Sequence, residues 1–301
     1  MLWRFLQISD PHLGSDSDGR WNNGFICTMM PDVMRCLRRD LAPLQPDFIL
    51  ATGDISSNQT CDAMFAARDL MDSLGFPYYP MGGNHDFVVE QSRDWFLQAF
   101  HAHLPMKRTY YSFTHKGLHF CVLDPWWLWE DDTLSPISEL AMAEKQKKDV
   151  TGARWAVPDD QMAWLEQELH DHADLPVIVS SHYPAIDVPD RLKRPGIKIG
   201  GHLQNGPALC DLLNSNTNVK ALFCGHLHMH IVEQDQHFTH VITGALPEYP
   251  TEYRDIQVYD DRLEVTTLGL SDPSFAARSL IPGNDWTQGQ PGDRKAVIPL
   301  I

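Results

Sequence analysis

Asp10-Pro11-His12, Gly53-Asp54, Gly83-Asn84-His85-Asp86, a lone His182 and Gly225-His226-Leu227-His228 punctuate the first three quarters of the chain. Hard oxygen donors mixed with imidazoles suit Mn, Fe or Zn better than Ca or a thiolate-seeking ion. Seven residues are candidate ligands: Asp10, His12, Asp54, Asn84, His182, His226 and His228. They are too many for one mononuclear site, and the count predicts two divalent metal ions sharing a carboxylate, as in a dinuclear metallohydrolase. Singly, each has an ordinary alternative. An Asp-x-His tripeptide is usually a turn, Gly-Asp is common in loops, and Asn tolerates left-handed turns. Their occurrence in order, each after an apolar run, carries the reading.

Those runs are LWRFLQIS, DFILAT, FPYYPM, PVIVS and VKALFC. Each reads as a buried strand, so the clusters are expected along the carboxyl edge of one sheet, where ligands of open α/β folds bind. On a strand, Asp10 and His12, and likewise His226 and His228, share a face two residues apart. Helices are predicted over about 27–42, 60–74, 89–101, 159–172 and 206–214, and a further strand at HFCVLD (119–124). The alternation favours an α/β fold.

Two segments break that rhythm. Residues 125–157 are rich in Trp and charge, with a short helix expected near 136–148, and 184–205 are rich in Pro and Gly. Long aperiodic loops are commonly lids or binding loops. THVITGAL, RDIQVYDD and LEVTTLGL then read as short strands of a second sheet, with a hairpin at Asp260-Asp261. One domain is expected over 1–270, with 271–301 as a C-terminal tail, either an arm or a partly disordered segment.

The 301 residues carry a net charge of −16, which argues against a nucleic-acid polymer as partner. An anionic small substrate stays open, because bound cations reverse the local potential. Six scattered cysteines without a CxxC pair suggest reduced thiols, and no apolar run reaches membrane-spanning length. A cytoplasmic protein is expected. The Trp-rich insert and the apolar end at 296–301 are candidate contacts for a homo-oligomer.

The ordered pattern DxH, GD, GNHD, H, GHxH resembles the calcineurin-like metallophosphoesterase superfamily over about residues 2–245. The resemblance implies a four-layer α/β/β/α sandwich of two mixed sheets. It implies that Asp10, His12 and His228 hold one metal and Asn84, His182 and His226 the other, with Asp54 bridging both. It implies attack by a metal-bridging hydroxide, with His85 as the catalytic residue facing the phosphoryl group rather than a ligand. Asp86 is expected either to partner His85 or to cap the following helix.

Departures narrow the choice. GDISSN and GGNHD lack the arginines of protein phosphatases, and Ser57 replaces the ligand Tyr of purple acid phosphatases. DPHLG is similar to double-strand-break nucleases, but their aspartate after GD and a basic DNA-binding stretch are missing. LQISDPHL, TGDIS, GGNHD, SHYP and CGHLH are most similar to class III cyclic-nucleotide phosphodiesterases and glycerophosphodiesterases. A small phosphodiester substrate is therefore expected. Alternatives are a small-metabolite phosphomonoesterase and a non-catalytic scaffold, which the intact ligand set disfavours. Trp126, Trp127 and Trp129 are candidates for base stacking, and Asn58 and His202 for substrate contact, against plainer structural roles.

Overall fold

The computed structural model describes residues 1–57, 60–125, 127–130, 133–136, 138, 155–194 and 201–301. Two six-stranded sheets form its centre. In the first, β1 (Trp3–Ile8), β2 (Phe48–Ala51) and β3 (Tyr78–Pro80) are parallel. On the other side of β1, β12 (Glu252–Val258), β13 (Arg262–Gly269) and β14 (Lys295–Pro299) extend the sheet antiparallel. The second sheet runs β10 (Ile231–Gln234), β11 (Thr239–Ile242), β9 (Val219–Cys224), β8 (Val177–Ser180), β5 (Leu118–Val122), β4 (Tyr111–His115). A small hairpin pairs β6 (Trp127–Glu130) with β7 (Thr133–Pro136).

The strand composition explains the pairing. β2 and β8 are buried at every residue and read as unbroken apolar runs, the mark of parallel strands covered on both faces. Parallel neighbours need crossovers, and α1 (Met30–Leu41) and α2 (Cys61–Asp72) supply them between β1, β2 and β3. α2 starts where the Thr60 hydroxyl accepts the Ala63 N–H at 3.2 Å. The other helices are α3 (Ser92–Ala99), α4 (Asp159–Asp171), α5 (Gly206–Asn214) and α6 (Ser274–Ser279). The helices predicted over 27–42, 60–74, 89–101, 159–172 and 206–214 are all present, with no end shifted by more than three residues.

Phenylalanines from both sheets interlock between them. Phe5 and Phe48 stack at 5.2 Å, and Phe120 of the second sheet meets each edge-on at 5.4 Å. Phe223 lies 6.0 Å from Phe5, and Phe113 stacks on Phe120 at 4.8 Å. Each fully buried ring contributes about 1.5–3 kcal/mol relative to exposure. The architecture is the expected four-layer α/β/β/α sandwich.

Three expectations change. The five cluster-bearing strands do not share one sheet: β1, β2 and β3 belong to the first, β8 and β9 to the second. An apolar run specifies burial on both faces, not a pairing partner. The late strands split likewise, β11 joining β9 while β12 and β13 line up beside β1. Residues 271–301 are ordered. They carry α6 and β14, bury Trp286 and Ile298, and are held by the Arg294–Glu252 pair at 2.6 Å. Trp126, Asn58, the KQKK run at 145–148 and nearly all of the helix expected at 136–148 lie outside the described residues.

Candidate metal centre

β1 and β2 of the first sheet, and β8 and β9 of the second, end on one seam where the clusters meet. β1 stops at Ile8, so Asp10 and His12 are loop residues, not strand residues. They reach one site because each adopts left-handed backbone, with φ of 48° and 45°. Asp54 (48°), His226 (66°) and His228 (52°) do the same. Such conformations cost about 1–3 kcal/mol each and gather at functional sites, with Asp, Asn and His the least penalised side chains. Gly53 (φ 92°) precedes Asp54, and a Cβ there would collide with the His182 ring. The residue type thus serves both backbone conformation and clearance.

Two buried donor groups result. In one, donor atoms of Asp10, His12, Asp54 and His228 all lie within 4.8 Å of one another; in the other, those of Asp54, His182 and His226. Asp54 belongs to both. Its Oδ2 is 3.3 Å from His182 Nε2 and 4.0 Å from His12 Nε2. Asp10 Oδ1 is 3.2 Å from His228 Nε2 and 3.9 Å from His182 Nε2. Asn84 follows β3 in a single helical turn, and its Oδ1 accepts the Tyr183 hydroxyl at 3.1 Å, beside His182. His226 and His228, two apart in sequence, therefore part company between the two groups.

The ring tautomers favour cation binding. His182 Nδ1–H donates to the Thr52 carbonyl at 2.8 Å, and His228 Nδ1–H to Glu248 Oε2 at 2.6 Å. Both Nε2 atoms are thereby turned toward the carboxylates. Among the described residues, His182 Nε2 and His226 Nδ1 are buried without a hydrogen-bond partner, and His12 Nε2 stands 3.3 Å from His228 Nε2. Orphaned ring nitrogens beside two buried carboxylates fit divalent ions of the imidazole- and oxygen-seeking kind.

Electrostatics divide the rings. Burial disfavours charge on all four. For His228 the carboxylates of Asp10 and Glu248 outweigh it and hold the ring up at about 10. For His182, Asp54 and Asp10 do so, raising it to about 9. His12 and His226 fall well below the ordinary value through burial and neighbouring imidazoles. Asp54 is held well below the carboxylate range against burial, by His182 and His85.

His85 is half-buried, its ring edge-on to His12 at 4.8 Å, and its backbone N–H donates to Asp54 Oδ1 at 2.8 Å. Among the described residues, Asp86 neither partners the His85 ring nor caps α3. Its carboxylate takes the backbone N–H groups of Ser56 (2.7 Å), Gly83 (2.9 Å) and Ile55 (3.1 Å), pinning two loops together. Burial and the Asp54 charge push Asp86 up to about 7 against these donors.

Several neighbours of the centre escaped the sequence reading. Glu248 lies in no motif. Trp21 and Phe25 come from the polar loop after β1, 4.7 and 5.2 Å from the His228 ring, and Tyr183 lies 3.9 Å from the His226 ring. Trp127, one of the stacking candidates, sits 5.3 Å from the Arg93 guanidinium. His202 is partly exposed, 3.9 Å from Asp187. Two smaller donor groups, His119–Glu168–His172 and Cys210–Asp235–His240, lie apart from this centre. In each the carboxylate already pairs with a ring nitrogen, at 3.0 and 3.3 Å. Among the described residues, no helix is long and apolar enough to cross a membrane.

Comparison with known proteins agrees with this geometry. The sequence profile of the family described as calcineurin-like phosphoesterase matches residues 4–230. A probable glycerophosphodiester phosphodiesterase of Arcobacter nitrofigilis is 25% identical over 229 residues, 74% of this chain and 71% of that protein. A probable cyclic nucleotide phosphodiesterase of Synechococcus is 22% identical over 267 residues, 87% of this chain and 89% of its own. Among solved structures, a dimetal phosphatase from Danio rerio superposes with a TM-score of 0.68 at 18% identity, covering 90% of this chain and 97% of that one. The fold, the seam of buried donors and the matched profile converge: this chain belongs to the calcineurin-like phosphoesterase family, whose members are metal-dependent phosphoester hydrolases.

Proposed function

We propose that the protein is a dinuclear metal-dependent phosphodiesterase acting on small phosphodiesters of the cyclic-nucleotide or glycerophosphodiester type. The observation that carries this reading is the pair of buried donor groups with Asp54 common to both. Asp10, His12 and His228 would hold one ion, and Asn84, His182 and His226 the other, with Asp54 between them. When bound, two divalent ions lower the pKa of water and neutralise charge on the phosphoryl oxygens. Mn, Fe and Zn all suit these ligands.

The chain's own residues supply the rest. Asp54 accepts the His85 backbone N–H, which ties the shared carboxylate to the turn that carries His85. The half-buried His85 ring stands beside the centre outside both donor groups, placed to face the leaving alkoxide or an equatorial phosphoryl oxygen. Trp21 and Phe25 present apolar walls to a substituent on the phosphate. The diester preference draws on the names of the two sequence relatives.

The test is the rate on bis(p-nitrophenyl) phosphate against p-nitrophenyl phosphate with manganese-reconstituted protein. Diester preference is expected. Monoester preference reassigns the protein to small-metabolite phosphatases, and turnover of neither in a fully metallated protein argues for a binding protein.

A further inference from the structure

Glu248 is fully buried, yet both its oxygens are committed to distant parts of the chain. Oε2 accepts His228 Nδ1–H at 2.6 Å, and Oε1 accepts the backbone N–H of Asn23 in a short contact. Among the described residues, His228 is the one candidate ligand ring with a carboxylate on its outward nitrogen. His182 uses the neutral Thr52 carbonyl, and Nδ1 of His12 has no partner. A carboxylate behind an imidazole fixes the tautomer and strengthens the opposite nitrogen as a donor.

Asn23 continues the connection. Its side chain donates to the Asn284 carbonyl (3.0 Å) and to Thr287 Oγ1 (3.2 Å) and accepts the Ile281 N–H (2.8 Å). Gly24 N–H donates to the Ser279 carbonyl at 3.0 Å. The same loop carries Trp21 and Phe25, whose rings lie 4.7 Å from His228 and 5.3 Å from His12.

We propose that Glu248 is a positioning residue with two outputs, orienting His228 toward one metal ion and clamping the 20–25 loop over the centre. Residues 279–287 hold that loop from behind. The inference rests on the dinuclear reading and adds to it that Glu248 supports one of the two ions and not the other. A purely structural Glu248 would alter stability without distinguishing the two ions.

Manganese titration by calorimetry on wild type and Glu248→Gln decides this. The amide keeps the volume but must turn its NH2 toward one of two donors. The expected result is that one ion weakens roughly 10–100-fold while the other is unchanged. In Thr287→Val both ions are expected to bind as in wild type, while amide exchange in residues 20–25 quickens. Two ions bound by folded E248Q with wild-type affinities overturn the proposal and leave the dinuclear centre standing. A wild type that binds no manganese overturns both. Should E248Q not fold, 15N-histidine spectra of the zinc-loaded wild type decide: a protonated His228 Nδ1 is expected, and an unprotonated one overturns the role.

Discussion

The His85 amide donates to Asp54 Oδ1 at 2.8 Å while Asp54 Oδ2 faces His182 Nε2 at 3.3 Å. One carboxylate thus joins the GNHD turn, the donor group at His182 and the donor group at His12. Asp54→Ala is therefore expected to empty both metal subsites rather than one. Elemental analysis after manganese loading should find well under one ion per chain, and two retained ions would contradict a shared carboxylate.

The His85 ring is held beside the centre without belonging to either donor group. His85→Ala should lower turnover of the diester about 10²–10⁴-fold, the range for losing a general acid. Its manganese content should match wild type. Equal loss of metal and activity would make the residue a ligand instead.

Metal removal should cost stability, since buried carboxylates and imidazoles then face one another unscreened. Manganese at about 100 times its dissociation constant is expected to add about 2.7 kcal/mol per site. The thermal midpoint with manganese against chelator reads this directly. Coincident midpoints would show that the centre does not bind the ion.

Glu252 ties β12 to the chain end. Burial would raise its carboxyl, but the His230 ring 3.2 Å away and the hydrogen bonds from Arg294 outweigh that and hold it down at about 2, against an ordinary 4.5. A depressed carboxylate stabilises the fold fully above the unfolded value. That stability is lost as pH falls from about 4.5 toward 2, and amounts to at most about 3 kcal/mol. Glu252→Gln should flatten the acid limb of the stability–pH curve across this window. An unchanged limb would assign acid unfolding to other groups.

Much of this was legible in the sequence, for identifiable reasons. β2 and β8 could be read because a strand buried on both faces is an apolar run, and the candidate donors because Asp and His at strand ends have few other reasons to recur. Sheet membership was not legible, since VIVS and FILA are equally apolar and carry no information about their neighbours. Strand alternation also misassigned the geometry of Asp10 and His12, whose left-handed backbone is invisible in residue type alone. Glu248 escaped because its partners, Asn23 and His228, approach only through tertiary folding. The ordered end escaped because its anchor, Arg294 to Glu252, spans β12 and the segment before β14.

The seam between the sheets has a mechanical consequence. Asp10, His12, Asp54 and Asn84 follow strands of one layer, and His182, His226 and His228 follow strands of the other. Both donor groups straddle that boundary. Each ion would act as a rivet through two plates, so that the layers must part together or not at all. The metallated protein should unfold as one cooperative body and more slowly than the stripped one, whose two sheets are joined by the aromatic midline without those rivets.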